Sequence, residues 1–375
     1  MLINQFHDIL PGSSIHEVYE VTKKEYAAME EKIAQLEQER MAALCVPGDN
    51  LTVFNTKGFA GDEIVPLGET DVQALADEAG TLYPVQHTEK GAFVSLKDLP
   101  AKGWRTYQTR RESVPVPSPF ALTGERHLET PYYTVELDES GLFARLYDKE
   151  NRREVFKPGQ KGNLMRMYED KPIYYDNWDI DIFHLFKHED VALVREPVLV
   201  ENGALRAVIR FEYAYRRSTF VQDMIVYADS RRIDFRTEAE WHECHRVLKA
   251  GFPVDVRATK ATYDIQYGHV ERPTHFNTSW DYARFEVVAH KWSDLSEQGY
   301  GVALLNNCKY GHSVKDNVMH ITLLKSGKNP GTECDMGHHE FTYALLPHAG
   351  SVAESDVIEE SVKLNLPVRT AANMA

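Results

Sequence analysis

The stretch ALRAVIRFEYAYRRSTFVQDMIVYADSRRIDFRTEAEW, residues 204–241, alternates apolar and polar positions with a period of two. Successive side chains on a strand point to opposite faces, so this alternation marks strands with one face turned to a core. β-Branched and aromatic residues dominate it, and Asp229-Ser230 supplies a break at which the chain can reverse. The stretch reads as a run of antiparallel strands. The pattern extends in both directions. YYTVELDESGLFARLYDKENRREVF (132–156) alternates around a turn at Glu139-Ser140-Gly141, and YGVALLNNCKYGHSV (300–314), VMHITLLKS (318–326) and HEFTYALLPH (339–348) continue it. Many strands with short turns and almost no helix predict large β-sandwiches.

Toward the N-terminus, LTVFNTKGF (51–59) and GAFVSLKDLPAKGWRTYQTR (91–110) predict a smaller β domain, closed by the Pro-rich VPVPSPFAL (114–122). Before it stands one long helix over residues 14–45. Ile15, Val18, Tyr19, Thr22, Tyr26, Met29, Ile33, Leu36 and Leu44 follow a helical period, Ser14-Ile15-His16-Glu17 has the spacing of a capping box, and Val46-Pro47-Gly48-Asp49 stops it. A single amphipathic helix of that length needs helical partners, and none follows in the sequence. The expected division is 1–45, 46–120 and 121–375, with the last segment cut short and TAANMA (370–375) a patternless end.

With 375 residues, 43% hydrophobic and 26% charged, the chain has a globular composition and enough length for two or three domains. A net charge of -15 argues against nucleic acid or an anionic membrane as partner. No apolar run approaches the ~20 residues that span a bilayer, and no signal peptide is read at the start. Four scattered cysteines, Cys45, Cys244, Cys308 and Cys334, suit a reducing cytoplasm better than a disulfide framework. Aromatic content of 11% suits strands and sugar-stacking surfaces.

Chemistry concentrates in NQFHDILPGSS (4–14). His7 and Asp8 stand side by side among Phe6, Ile9 and Leu10, ahead of a Pro11-Gly12 turn. That frame predicts a buried shoulder, where an imidazole beside a carboxylate has the look of a zinc ligand with its local electrostatics. A structural His-Asp pair before a helix is the commoner case, and at least two further ligands would be needed.

The whole stretch NQFHDILPGSSIHEVYE resembles the signature at the end of the catalytic region of α-mannosidases of glycoside hydrolase family 38, particularly the bacterial members. YEDKPIYYDNWDID (168–181), the long segment 248–311 and HHEFTYALLPHAG (338–350) resemble the β-rich C-terminal half of the same enzymes, in the same order. The resemblance implies a mainly β fold: a large galactose-mutarotase-like sandwich and a smaller β domain, preceded by one helix of a helical bundle. It implies retaining hydrolysis of terminal α-linked mannose from oligosaccharides, in which one carboxylate attacks the anomeric carbon and a second carboxyl protonates the leaving oxygen. It further implies one zinc ion held by two histidines and two aspartates. His7 maps to one ligand and Asp8 to a contact with sugar hydroxyls. The nucleophile, acid and other ligands belong to an upstream α/β-barrel-like domain, so the chain is expected to begin inside the gene product and to be inactive alone.

Asp176, Trp178 and Asp179 combine carboxylates with an indole, which suits a wall of the sugar cleft; a turn around a buried Trp is the plain alternative. Glu271, Arg272, His275, Asn277 and Asp281 read as a charge-paired structural loop. Asp335, His338 and His339 lie on what reads as a loop able to reach the cleft. His242, Cys244 and His245 in EWHECHR tempt as a metal motif, but on a strand they divide between two faces and read as filler. The rival function is a β-sandwich carbohydrate-binding or scaffold module without chemistry. Oligomeric state is left open, a homo-oligomer included.

Overall fold

The structure, a computed structural model, describes residues 1–45, 48–124 and 126–373. Among the described residues four antiparallel sheets account for most of the regular secondary structure, so the expectation of a mainly β protein with one long N-terminal helix holds. The stretch that opened the sequence reading becomes the strands Arg206–Tyr215, Ser218–Tyr227 and Ile233–Trp241, which pair in that order and continue into Gly337–Ala349 and Tyr300–Asn306. Register carries Ile209, Met224, Phe235 and Tyr343 across four neighbouring strands as one buried row. The next row, Val208, Ile225 and Asp234, faces the other way. A slip of one residue would exchange the two faces, so the apolar row fixes the pairing.

A six-stranded sheet closes this sandwich. Its centre is Arg246–Pro253, held between Leu164–Glu169 and Val318–Ser326. Phe252 meets Phe235 and Tyr343 with ring centroids 5.9 Å and 6.3 Å apart, so the two sheets share one core. Gln222 lies inside that core, donating to Thr237 and Tyr343 and accepting from Asn163, which offsets the cost of its burial. The chain crosses from one sheet to the other at residues 242–245, where His245 takes φ of +53°. His242, Cys244 and His245, expected on the two faces of a strand, instead form a bend between sheets.

Smaller elements lean on the outer face of the ten-stranded sheet. The seven-stranded sheet of the small β region buries Leu51, Val53, Val65, Val94, Leu96 and Tyr107. Its last strand, Arg369–Asn373, pairs with Asn50–Asn55. The patternless end expected at 370–375 is thus corrected, because residues 370–373 are strand; residues 374–375 lie outside the described part. The helix Val357–Asn365, also unforeseen, sets Val357 on Trp292, Ala303, Leu305, Ala344 and Leu346. Small region and sandwich are joined by Gln86. Its Oε1 accepts from the amides of Leu205 (2.7 Å) and Arg206 (3.2 Å), and its Nε2 donates to the Arg206 carbonyl at 3.1 Å.

The long helix spans His16–Leu44. Val18, Tyr19, Thr22, Tyr26, Met29 and Met41 are half-buried along one stripe, while Ile15, Ile33, Leu36 and Leu44 stay exposed. The capping box is not formed. Ile15 is the cap residue, and the Ser14 side chain bonds to the Asp8 carbonyl instead. Of the expected stop signal, Val46-Pro47 lies outside the described residues.

Candidate functional site

The turn that carries His7 and Asp8 is folded around one carbonyl. Asp8 O accepts from Ser13 N (3.1 Å), Ser14 Oγ (2.8 Å) and Tyr19 Oη (3.1 Å), and Gly12 supplies φ of +81° for the reversal. Tyr19 is the second residue of the helix stripe to be half-buried, so the helix anchors the turn. The His7 side chain is 65% exposed and Asp8 45%, with Nε2 3.5 Å from Oδ2. Phe6 and Leu10 are exposed as well. The buried shoulder expected from their apolarity is corrected: these groups form an open rim.

The segment 170–181 meets this rim. Trp178 Nε1 donates to Ser13 Oγ at 2.6 Å, and the same hydroxyl lies 3.3 Å from Asp8 Oδ1. The Trp178 ring stands edge-on to His7 with centroids 6.5 Å apart. Asn177 Nδ2 lies 3.4 Å from the Gly12 carbonyl and 3.3 Å from Cys334 Sγ, which brings the loop 327–336 to the same place. Trp178 is 57% exposed, so the alternative of a turn around a buried Trp is set aside. Tyr174 and Tyr175 are also exposed, and Tyr175 takes φ of +52°.

Asp176 is mostly buried and faces inward. Its Oδ2 accepts from the Lys328 amide at 2.5 Å, its Oδ1 lies 3.4 Å from His245 Nδ1, and its carbonyl accepts from Lys325 Nζ at 2.7 Å. Lys325 also sits 3.1 Å from Asp170, whose side chain is 1% exposed. Burial pushes the Asp170 carboxyl above its usual range, with Lys325 pulling the other way. The segment is therefore pinned from beneath by a buried charge pair while its aromatic side faces out. Asp179 is exposed and has no side-chain bond among the described residues. At the start of the segment, Lys187 and Lys171 lower the Glu169 carboxyl to about 2.

The sequence reading took His245 for filler and passed over Lys325, Ser13 and Asn177. The two lysines of LLKSGK were a signal available. His338 and Glu271 fall elsewhere, whereas Asp335 lies in the loop that reaches the segment. His338 pairs with Glu240 at 2.8 Å on the sheet surface, and Glu271 pairs with Lys260 at 2.8 Å on a hairpin. Burial raises the Asp335 carboxyl in the loop that brings Cys334 to Asn177.

A zinc ion wants four N, O or S donors in a tetrahedron. Among the described residues no three His, Cys, Asp or Glu side chains gather for one. His7 offers one open imidazole, and Asp8 is the carboxylate against it. The residues present do not complete a zinc site, and no step through zinc follows from them.

Residues 128–333 match the glycosyl hydrolases family 38 C-terminal domain, and residues 1–44 match the alpha mannosidase middle domain. The chain is 36% identical over 397 aligned positions to Alpha-mannosidase 2C1 of Homo sapiens, covering 98% of the chain and 35% of that protein. It is 33% identical to Alpha-mannosidase G of Dictyostelium discoideum, covering 97% of the chain and 37% of the relative. The chain thus spans about a third of the length of the curated relatives it matches. A glycosyl hydrolase family 38 protein of Enterococcus faecalis has the same fold, with a TM-score of 0.77 at 14% identity, over 99% of this chain and 54% of that one. With a family model covering more than half of its residues, the chain belongs to glycosyl hydrolase family 38.

Proposed function

We propose that this chain forms the C-terminal part of a retaining α-mannosidase that releases terminal α-linked mannose from oligosaccharides. It supplies one wall of the sugar site. The observation that supports this reading most is the joining of the open His7-Asp8 pair to Trp178 through Ser13. An indole edge, a carboxylate and an exposed imidazole on one rim suit the apolar and hydroxyl faces of a pyranose. Asp8 and Asp179 accept from sugar hydroxyls, Trp178 covers the C–H face, and Asp176 holds the segment in place.

Retaining hydrolysis needs two carboxyl groups about 5–5.5 Å apart, and the nucleophile and acid come from other polypeptide. His7 would be one holder of a zinc ion whose other donors come from that same polypeptide; the ion would supply Lewis-acid binding of sugar hydroxyls. The chain alone is then inactive. A cytoplasmic location rests on the four cysteines, all unpaired.

A fusion placing this chain behind the N-terminal portion of the Dictyostelium relative tests the reading. Hydrolysis of an aryl α-mannoside should fall by at least about 10–100-fold when His7 becomes Ala, the scale seen when groups that only support a metal ligand are lost. Hydrolysis indifferent to His7 would count against it.

A further inference from the structure

Tyr175, the residue ahead of Asp176, takes φ of +52°. That left-handed region costs a bulky L-residue and is ordinarily left to glycine. Its neighbours impose the cost. The Asp176 carbonyl accepts from Lys325 Nζ at 2.7 Å, and the Asp176 Oδ2 accepts from the Lys328 amide at 2.5 Å. The Tyr175 carbonyl accepts from the amides of Trp178 (2.8 Å) and Asp179 (2.9 Å). Gly327 lets the sheet end press against this turn, since a Cβ there would lie 2.4 Å from Asn177 Oδ1. Backbone held off its preferred conformation in this way concentrates at ligand contacts and switches.

What the strained backbone achieves is exposure. Tyr175 is 73% exposed and Tyr174 71%. The Tyr175 ring lies 6.3 Å from that of Trp178 and 6.3 Å from that of Tyr174, and Trp178 in turn meets His7. Ring contacts on an open surface are worth less than the strain of a tyrosine in this conformation, so they do not account for it. Leaving two aromatic rings in water adds a second cost. Both costs are offset if a ligand lies on the rings. A tyrosine offers an apolar face and a hydroxyl at its tip, which matches the C–H face and the ring hydroxyls of a pyranose. The rings are continuous with the rim on which the mannose is placed.

We propose that Tyr175 is a specificity-determining residue that stacks on the sugar next to the terminal mannose, with Tyr174 extending the platform. The site then favours an oligosaccharide over a simple mannoside. This rests on the mannosidase reading above, in which Trp178 covers the terminal sugar. A glycan lying on Trp178 continues onto Tyr175, the neighbouring ring. The bonds to Asp176 fix the direction in which that ring is presented, and the strain they impose is the cost of presenting it.

The test is fluorine NMR of the 375-residue chain carrying 5-fluorotryptophan, titrated with methyl α-mannoside and with an α-linked mannotriose. The Trp178 resonance, assigned through Trp178→Phe, is the reporter. The expected result is a saturable shift with both sugars, the mannotriose binding roughly 3–10-fold tighter, the scale of one added aromatic contact. Tyr175→Phe should keep that ratio. Tyr175→Gly, which adopts φ of +52° without strain, should bring the ratio close to 1 without a lower melting temperature. A merely structural tyrosine would melt lower on losing its ring. Equal affinity for the two sugars in the parent chain, or a ratio that survives Tyr175→Gly, overturns the proposal. No response to either sugar also overturns it and assigns the rings to contact with the rest of the enzyme. The His7 fusion decides the mannosidase reading by a separate readout, so the two fail separately.

Discussion

Trp178 donates its indole N–H to Ser13 Oγ at 2.6 Å, a bond spanning 165 residues of sequence. It ties the turn after His7-Asp8 to the segment 170–181. Replacing Ser13 by Ala should cost about 1 kcal/mol, the net worth of one hydrogen bond. The fluorotryptophan resonance of Trp178 should move toward its unfolded position while that of buried Trp241 stays. A Trp178 signal unchanged by the substitution would mean that the bond does not orient the ring.

Lys325 holds the same segment from below. Lys325→Met leaves Asp170 buried without its partner, and breaking such a pair costs on the order of 3 kcal/mol. The effect should depend on pH. The Asp170 carboxyl is already raised by burial, so the folded state holds its proton to higher pH than the unfolded chain does. Stability contributed this way is lost as pH rises through the folded value. Removing the ammonium strengthens that trend, and urea melts should show a smaller loss in mildly acid buffer than at neutral pH. An equal loss at both would place the cost elsewhere.

Gly203 makes room for Gln86: a Cβ there would meet the Gln86 side chain at 2.1 Å. Gly203→Ala should expel that side chain from its bonds to Leu205 and Arg206 and cost about 2–3 kcal/mol. Gln86→Ala alone forfeits the same bonds. The double variant should therefore lose clearly less than the sum of the two, as expected for residues that share one interaction. Additive losses in a chemical melt would show that the alanine strains something else.

His184 and His312, both sealed in the interior, are held down to about 4 by burial, against 6.5 for an ordinary imidazole. The unfolded chain binds their protons first. Stability is fully present above 6.5 and is lost as pH falls toward 4. His320 is held down further by burial, to about 3, so three protons give a slope of about 4 kcal/mol per pH unit within that window. His312→Gln should remove roughly a third of the slope, whatever it does to absolute stability. A slope unchanged in this variant would show that His312 is not buried neutral.

The sheets were legible because their period is local: Ile209, Met224 and Phe235 each declare a face within their own strand. The long helix was legible for the same reason. Its capping box was misread because Ser14 had a competing acceptor, the Asp8 carbonyl, that only the folded turn provides. Arg369–Asn373 escaped notice because its partner, Asn50–Asn55, lies more than 300 residues away. At the site, His7, Asp8 and Trp178 were found through whole motifs, whereas His245 and Lys325 act through Asp176 across sheets, and no spacing in one stretch announces such a contact.

In the proposed function, the rim of His7, Asp8 and Trp178 is one side of a mannoside-cleaving site whose reacting carboxylates are carried by other polypeptide. The direct measurement is release of aryl alcohol from an aryl α-mannoside by the purified 375-residue chain, with zinc supplied and host enzymes removed. No turnover above the uncatalysed rate is expected. Turnover that follows the chain through chromatography, with or without His7, would contradict it.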